Sequence, residues 1–180
     1  MKLETLRLCL RDFTINDLQD LYEIFSDPEV MQHIEPAFDL PQTASFLQSF
    51  CIEREPKGAY AVYLKESSKV IGYILFKPLD TSEIYEIGWI FNRNYWRQGY
   101  ASEICTKLIA YAFQEMQIHK ICAEAIDIAK SVPLMLKLGF KEEGIQRKQS
   151  KNNQSEWCDL HWYGILAEDY FSNLNNKPKT

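Results

Sequence analysis

The sequence lacks the features that mark nucleic-acid-binding, metal-binding and disulfide-rich secreted proteins. Its 20 basic residues are outnumbered by 25 acidic ones, and it has no basic run, so a nucleic-acid partner is not expected. The net charge of −5 is compatible with a cationic substrate. Five cysteines form no CxxC pair and no HExxH motif occurs, so neither a disulfide framework nor a bound metal is predicted.

Long hydrophobic runs and two common phosphate-binding fingerprints are also absent. No apolar run approaches the ~20 residues that a membrane span requires, and MKLETLRLCLR has no signal-peptide core. Neither GxxxxGK[ST] nor a GxGxxG after a strand occurs, which excludes Walker-type and Rossmann-type phosphate binding. We therefore expect a cytoplasmic protein with no membrane partner. A chain of 180 residues fits one domain.

Helical and strand patterns follow one another along the chain without an internal repeat or a linker. Alternating or continuous apolar runs predict strands at 6–11, 59–65, 70–77, 84–91 and 120–126, and a final hairpin across KNNQ. Apolar stripes at helical spacing predict helices at 14–25, 41–54, 101–116 and 131–140. These elements predict a single α+β domain over residues 1–172, followed by a polar tail at 173–180.

The stretch YWRQGYAS, residues 95–102, places one glycine where a strand region leads into a helix. Unpaired backbone N–H groups and the helix dipole make a helix N-terminus attractive to anions, and a small residue lets a ligand approach the backbone. The N–H groups near Gly99, helped by Arg97 and Arg93, are therefore a candidate phosphate site. On these eight residues alone, a loop that simply needs a turn residue is the favoured interpretation.

Glu86 is unusual because it is an acidic residue within an otherwise apolar strand. Strand alternation places it on one face with Ile84, Gly88 and Ile90. A carboxylate that is partly dehydrated by such neighbours can serve as a general base. In isolation, a strand-end glutamate bonded to a polar group of the neighbouring strand is the favoured interpretation.

Ser131 opens the short helix predicted at 131–140, with Pro133 in the first turn and Gly139 after its end. A serine at this position commonly caps a helix by accepting a backbone hydrogen bond. From the residues alone, that structural role is favoured over a catalytic one.

Two segments, YEIGWIFNRNYWRQGYASE and KSVPLMLKLGFKEEG, resemble the GNAT superfamily of acyl-CoA-dependent N-acetyltransferases. The resemblance is greatest to the branch of ribosomal-protein N-terminal acetyltransferases and small-amine acetyltransferases. It implies a mixed, mostly antiparallel sheet of about seven strands, splayed in the middle and flanked by about four helices. The family's pyrophosphate loop is R/Q-x-x-G-x-G/A, and this branch often carries an aromatic residue at the first position. Trp96, Gly99 and Ala101 fill the three positions here.

The resemblance implies acetyl-CoA as co-substrate and no metal. The pyrophosphate would be held at the loop, and the pantetheine arm would lie beside the strand at 84–91. The implied cofactor-binding residues are Trp89, Ile90, Phe91, Arg97, Gln98, Gly99, Tyr100, Ala101, Ser102 and Lys130.

The resemblance also implies the chemistry of the site. Glu86 corresponds to the family glutamate that removes a proton from the amine, and Ser131 to a serine that protonates the leaving thiolate. His33 and Glu86 would contact the acceptor. One departure is Ile128, which replaces an asparagine of the branch, so that contact would be lost or be supplied by Asp127 or Lys130.

The expected function is therefore transfer of an acetyl group from acetyl-CoA to a primary amine, on a protein N-terminus or a small molecule, by direct attack in a ternary complex. The alternative is a catalytically impaired acyl-CoA-binding or regulatory module, which Ile128 favours. Family habit also suggests a homodimer.

Overall fold

The computed structural model describes residues 1–79 and 81–175, and it contains an eight-stranded sheet in the order β1-β2-β3-β4-β5-β6-β8-β7. The strands are β1 (Leu3–Glu4), β2 (Leu8–Arg11), β3 (Ala59–Leu64), β4 (Val70–Pro78), β5 (Ile84–Phe91), β6 (Lys120–Ala125), β7 (Lys141–Lys151) and β8 (Trp157–Leu166). Neighbours pair antiparallel, except that β5 and β6 run parallel. A long crossover is needed to join parallel strands, and a helix supplies it here.

Five α-helices flank the sheet within the described residues. They are α1 (Leu18–Phe25), α2 (Leu40–Phe46), α3 (Tyr100–Gln114), α4 (Val132–Lys137) and α5 (Ala167–Asn175). The second predicted helix changes character within its length, because α2 continues as a π-helix over Leu47–Ile52. None of the helices in the described ranges is long and apolar enough to cross a membrane.

The sheet carries a hydrophobic core on each face. Helix α3 buries Ile104 and Leu108 against one face, as its apolar stripe predicts. Helix α1 and the π-helix cover the other face, where Phe25 and Leu47 are fully or almost fully buried. Each such side chain stabilises the fold by about 1.5–3 kcal/mol through burial.

The strands β5 and β6 separate along their length, and this splay positions the site. Their parallel pairing covers only three pairs and ends at Glu86 opposite Cys122. Beyond that point β5 pairs only with β4, and β6 pairs only with β8. The predicted splay in the middle of the sheet is therefore present, and it leaves one edge of each strand open to a cleft.

The sequence predictions of fold class and element order are confirmed, with additions at the two ends of the chain. The strand predicted at 6–11 is shorter, and the two-residue β1 precedes it and pairs with it. At the other end, α5 was not predicted, and it includes residues 173–175 of the predicted polar tail. Residues 176–180 of that tail lie outside the described residues.

Candidate active site

The loop at residues 96–99 has an unusual backbone. Both Arg97 (φ 59°) and Gly99 (φ 82°) adopt left-handed conformations, and Gly99 is the residue from which α3 begins. Only glycine adopts this region without steric cost, which explains the glycine here. A non-glycine residue held at positive φ, such as Arg97, is strained, and such strain is often found at ligand-binding loops.

This backbone leaves a row of N–H groups available at the start of α3. Within residues 1–79 and 81–175, the N–H groups of residues 97–102 have no hydrogen-bond acceptor, whereas the next one, of Glu103, donates to the Gly99 carbonyl oxygen (3.0 Å). Free N–H groups at the positive end of a 15-residue helix suit a phosphate group. The predicted phosphate site therefore has the required donors.

Arg7, which the sequence analysis did not single out, fastens this loop to the sheet. Its Nη1 donates to the Gln98 carbonyl oxygen (3.0 Å), and its Nε donates to the Glu103 carboxylate (2.7 Å). Its guanidinium also lies 4.2 Å from the ring centre of Tyr100. These three contacts of the Arg7 side chain hold the loop and the start of α3 against the segment between β1 and β2.

Two basic side chains that were expected near the phosphate differ in where the structure places them. Arg93 is engaged elsewhere, because its Nε and Nη1 pair with Asp27 (3.1 Å) and Glu29 (2.9 Å), so a role in phosphate binding is not supported. Lys130 instead lies at the loop, with its ammonium 5.4 Å from the ring centre of Trp96.

The splay opens a cleft of about 440 Å³ between β5 and β6. Its apolar walls come from α1, α2, α4 and the sheet, and its polar groups come from five separate segments of the chain. Those polar or charged residues are His33, Glu35, Tyr73, Glu86, Glu124, Asp127, Ser131 and Ser150. Such a mixture of apolar surface and a few convergent polar groups is typical of a small-molecule site.

Glu86 has a cross-strand partner in the cleft. It lies opposite Lys77 of β4, whose Nζ is 2.9 Å from Glu86 Oε2, and the Glu86 side chain is only 16% exposed. The sequence-based alternative, a bond to the neighbouring strand, is therefore realised. It does not remove the catalytic interpretation, because the same carboxylate lines the cleft.

Glu124 is a second carboxylate of the cleft that sequence reasoning missed. Because Glu86 pairs with Cys122 and Glu124 is two residues further along β6, Glu86 and Glu124 lie on the same face of the sheet. Partial burial raises the pKa of Glu124, the charge of Glu86 raises it further, and Lys77 lowers it. The signal was one acidic residue inside the apolar strand KICAEAI.

Ser131 is located as predicted, but it does not cap its helix by a side-chain bond. Helix α4 begins after it at Val132, and the Ser131 side chain makes no capping hydrogen bond. Its residue lines the cleft instead. The capping interpretation favoured from the sequence is therefore wrong in this respect, and the hydroxyl is available for another role.

His33 faces Asp127 across the cleft. Its Nε2 lies 3.7 Å from Asp127 Oδ2, whereas its Nδ1 is buried and has no partner among the described residues. The Asp127 carboxylate also accepts hydrogen bonds from the N–H groups of Ala129 and Lys130, while Ile128 is 53% exposed. Asp127 thus connects the loop before α4 to the segment between α1 and α2.

The remaining predicted cofactor contacts divide between cleft and core. Trp89 and Ile90 line the cleft. The side chain of Phe91 is buried and would closely approach any side chain added at Gly72, so it belongs to the core. No group of three or more His, Cys, Asp or Glu side chains in the described part of the chain is arranged to hold a metal ion.

Comparison with known proteins agrees with this geometry. Residues 7–141 match the family model described as "Acetyltransferase (GNAT) domain". A curated relative, the uncharacterized N-acetyltransferase YnaD of Bacillus subtilis, is 35% identical over 94% of this chain and 99% of its own length. The crystal structure of a GNAT-family acetyltransferase from Bacillus anthracis superposes with a TM-score of 0.85, at 32% identity over 93% of this chain and 99% of that one.

The fold is also that of spermidine N-acetyltransferase from Vibrio cholerae, solved in complex with CoA and spermine, with a TM-score of 0.78 at 19% identity over 93% and 99% of the two chains. The chain belongs to the GNAT family of acetyltransferases. It is an acetyl-CoA-dependent N-acetyltransferase, which transfers an acetyl group to an amine.

Proposed function

We propose that the protein acetylates a primary amine bound in the cleft between β5 and β6, by direct attack on the thioester while both substrates are bound. The observation that carries the proposal is the splay itself, which begins where the pairing of β5 with β6 ends at Glu86, a carboxylate that lines the cleft. The loop at residues 96–99 lies where β5 leads into α3, so one strand connects the two parts.

The loop would hold the CoA pyrophosphate. The N–H groups of residues 97–102 would donate to its oxygens, and Lys130 would add a positive charge beside Trp96. The open edge of β5 at Trp89 and Ile90 would accommodate the pantetheine arm, because extended chains pair readily with a free strand edge. Bound acetyl-CoA supplies the activated acetyl group.

The acceptor amine needs to lose a proton before it attacks, because an alkyl amine has a pKa of about 10. Glu86 would accept that proton, directly or through a water molecule. A backbone N–H of β5 at residues 87–89 would stabilise the negative charge that develops on the carbonyl oxygen. Ser131 would protonate the leaving thiolate, and His33 would contact the acceptor from the opposite wall.

One observation favours a second candidate, an acyl-CoA-binding module without turnover. Lys77 already pairs with Glu86, and such a pair occupies the carboxylate that the reaction needs. For catalysis, the contact between Lys77 and Glu86 has to break, so that the Glu86 carboxylate can bind the acceptor ammonium or a water molecule.

The test is release of free CoA thiol when the purified protein is mixed with acetyl-CoA and a panel of amines, from small amines to peptides with a free N-terminus. Amine-dependent thiol release by the wild type, lost in Glu86→Gln, supports the enzyme. Acetyl-CoA binding without thiol release for any amine supports the binding module instead. Failure to bind acetyl-CoA contradicts both.

A further inference from the structure

Glu124 is a carboxylate of the cleft that acetyl transfer does not require. Within residues 1–79 and 81–175 no cation lies within 4.0 Å of it, and no donor hydrogen-bonds to its side chain. The other acidic groups of the cleft differ from it: Glu86 pairs with Lys77, and Asp127 is bonded to two backbone N–H groups. Glu35 and Glu124 are both exposed to solvent, but Glu35 lies in the segment between α1 and α2, whereas Glu124 lies on β6.

This arrangement leaves an excess of negative charge inside the cleft. Partial dehydration and the nearby Glu86 charge raise the pKa of Glu124, so its ionised form carries a free-energy cost, which solvent screening reduces because the residue is exposed. Lys77 lowers the pKa of Glu124 through its charge, but the carboxylate that its Nζ contacts is that of Glu86, at 2.9 Å. A cationic ligand group beside Glu124 would offset that cost.

The strand geometry separates the two carboxylates by a useful distance. Neighbouring strands lie about 4.8 Å apart and each residue advances about 3.3 Å, so regular pairing would set the Cα atoms of Glu86 and Glu124 roughly 8 Å apart, and the splay beyond Cys122 widens that distance. Their side chains lie on one face and open into the same cleft. One acceptor molecule can therefore contact both.

We propose that Glu124 determines acceptor specificity by binding a second cationic group of the acceptor, while its primary amine is held at Glu86. The substrate class is an amine that carries another ammonium or guanidinium group a few bonds away. This inference rests on the proposed function, which assigns the cleft between β5 and β6 as the acceptor site. The second cation can belong to a small diamine or to a basic side chain of a peptide.

The experiment compares matched acceptors that differ in the second charge. One arm uses diaminobutane against pentylamine, and the other uses a short peptide with lysine at its second position against the same peptide with norleucine. The ratio of kcat/KM for the charged over the neutral acceptor is measured in the wild type, in Glu124→Gln and in Glu66→Gln. Glu66 is an exposed residue in the β3–β4 turn, so Glu66→Gln makes the same charge change away from the cleft.

Removing a hydrogen bond to a charged group typically weakens the binding affinity by about ten- to a hundredfold. We therefore expect the wild-type ratio to favour the charged acceptor by that factor in at least one arm, and the arm identifies the source of the cation. Glu124→Gln brings the ratio close to one, whereas Glu66→Gln keeps it. A wild-type ratio near one in both arms, or a ratio retained in Glu124→Gln, overturns the proposal.

Calorimetry separates this proposal from the proposed function. The dissociation constant of diaminobutane and of the lysine peptide is measured on the CoA-bound protein, without any turnover. If no amine is acetylated, the proposed function fails, but charge-dependent binding that Glu124→Gln abolishes still supports the role of Glu124. If the wild type and Glu124→Gln bind the charged acceptors equally tightly, the proposed role of Glu124 is overturned.

Discussion

The proposed site has a backbone end, the loop of residues 96–99, and a side-chain end, the cleft between β5 and β6, and the two ends offer different kinds of binding group. At the loop of residues 96–99 the available groups are backbone N–H groups, fixed by positive φ angles and by Arg7. At the other end the available groups are side chains from several elements, among them His33, Glu86 and Glu124. A backbone site depends on local conformation, whereas a side-chain site can change with one substitution. We therefore expect that substitutions can alter cofactor binding and acceptor chemistry separately.

The largest expected effect is on turnover and lies at the side-chain end. Glu86→Gln should lower kcat by about 10²–10⁴-fold, because a positioned general base contributes that much. The dissociation constant of acetyl-CoA should change less than about twofold, since residues 97–102 are untouched. Steady-state kinetics and calorimetry on the same preparation check both. Turnover at the wild-type rate would remove Glu86 from the chemistry.

The reverse result is expected at the backbone end. Gly99→Asp should weaken acetyl-CoA binding by about a hundredfold or more, because like charges placed together cost several kcal/mol. Gly99→Asn is the matched control, since asparagine has the same shape, tolerates a positive φ and carries no charge. It should bind within about tenfold of the wild type. Equal affinity in the two variants would contradict a phosphate at this position.

A smaller effect should follow from loosening the loop without entering it. Arg7→Met removes the bond to the Gln98 carbonyl oxygen, so we expect acetyl-CoA to bind about tenfold more weakly through lost pre-organisation. Glu103→Gln keeps that bond and should leave the affinity within about threefold. If both variants bind acetyl-CoA as the wild type does, Arg7 serves stability alone.

The cluster of Glu103 with Thr5 and Arg7 should also make the stability of the protein depend on pH. Burial alone would raise the pKa of Glu103, but hydrogen bonds from Thr5 and Arg7 outweigh it and hold the pKa below its ordinary value of 4.5. The stabilisation is therefore present above pH 4.5 and is lost as the pH falls through the lowered value.

Glu103→Gln should accordingly reduce the free energy of unfolding at pH 7 by about 1 kcal/mol, with a smaller difference at pH 3. Denaturant unfolding at the two pH values measures this. A difference that grows on acidification would contradict the assigned role of the cluster.

The smallest effect is expected at Ser131. A thiolate with a pKa of about 8.5 leaves readily, so Ser131→Ala should lower kcat by no more than about tenfold. Stability should change by less than about 0.5 kcal/mol, because the side chain makes no capping bond. A loss of about 1 kcal/mol in thermal unfolding would instead restore the helix-cap interpretation.

The same contrast explains what the sequence could predict. The loop was found because Gly99, its neighbours and the start of α3 are contiguous, so local spacing and a known family motif were sufficient. The splay in the middle of the sheet followed from the same resemblance.

The partners of the side-chain end were missed because they depend on register. Lys77 meets Glu86 only through the exact pairing of β4 with β5, and Glu124 shares the face of Glu86 only through the pairing of β5 with β6. Arg7 is 96 residues from Glu103 in the chain, and nothing local indicates their contact. Such contacts join distant segments of the chain, so the local pattern of one sequence is not sufficient to predict them.

The most direct test of the separation between the two ends is calorimetric titration of acetyl-CoA, alongside CoA, into the wild type, Gly99→Asp and Glu86→Gln. We expect micromolar binding to the wild type and to Glu86→Gln, and no measurable binding to Gly99→Asp. Absence of binding to the wild type would mean that residues 95–102 form only a turn before a helix. Equal binding to all three proteins would contradict the backbone phosphate site.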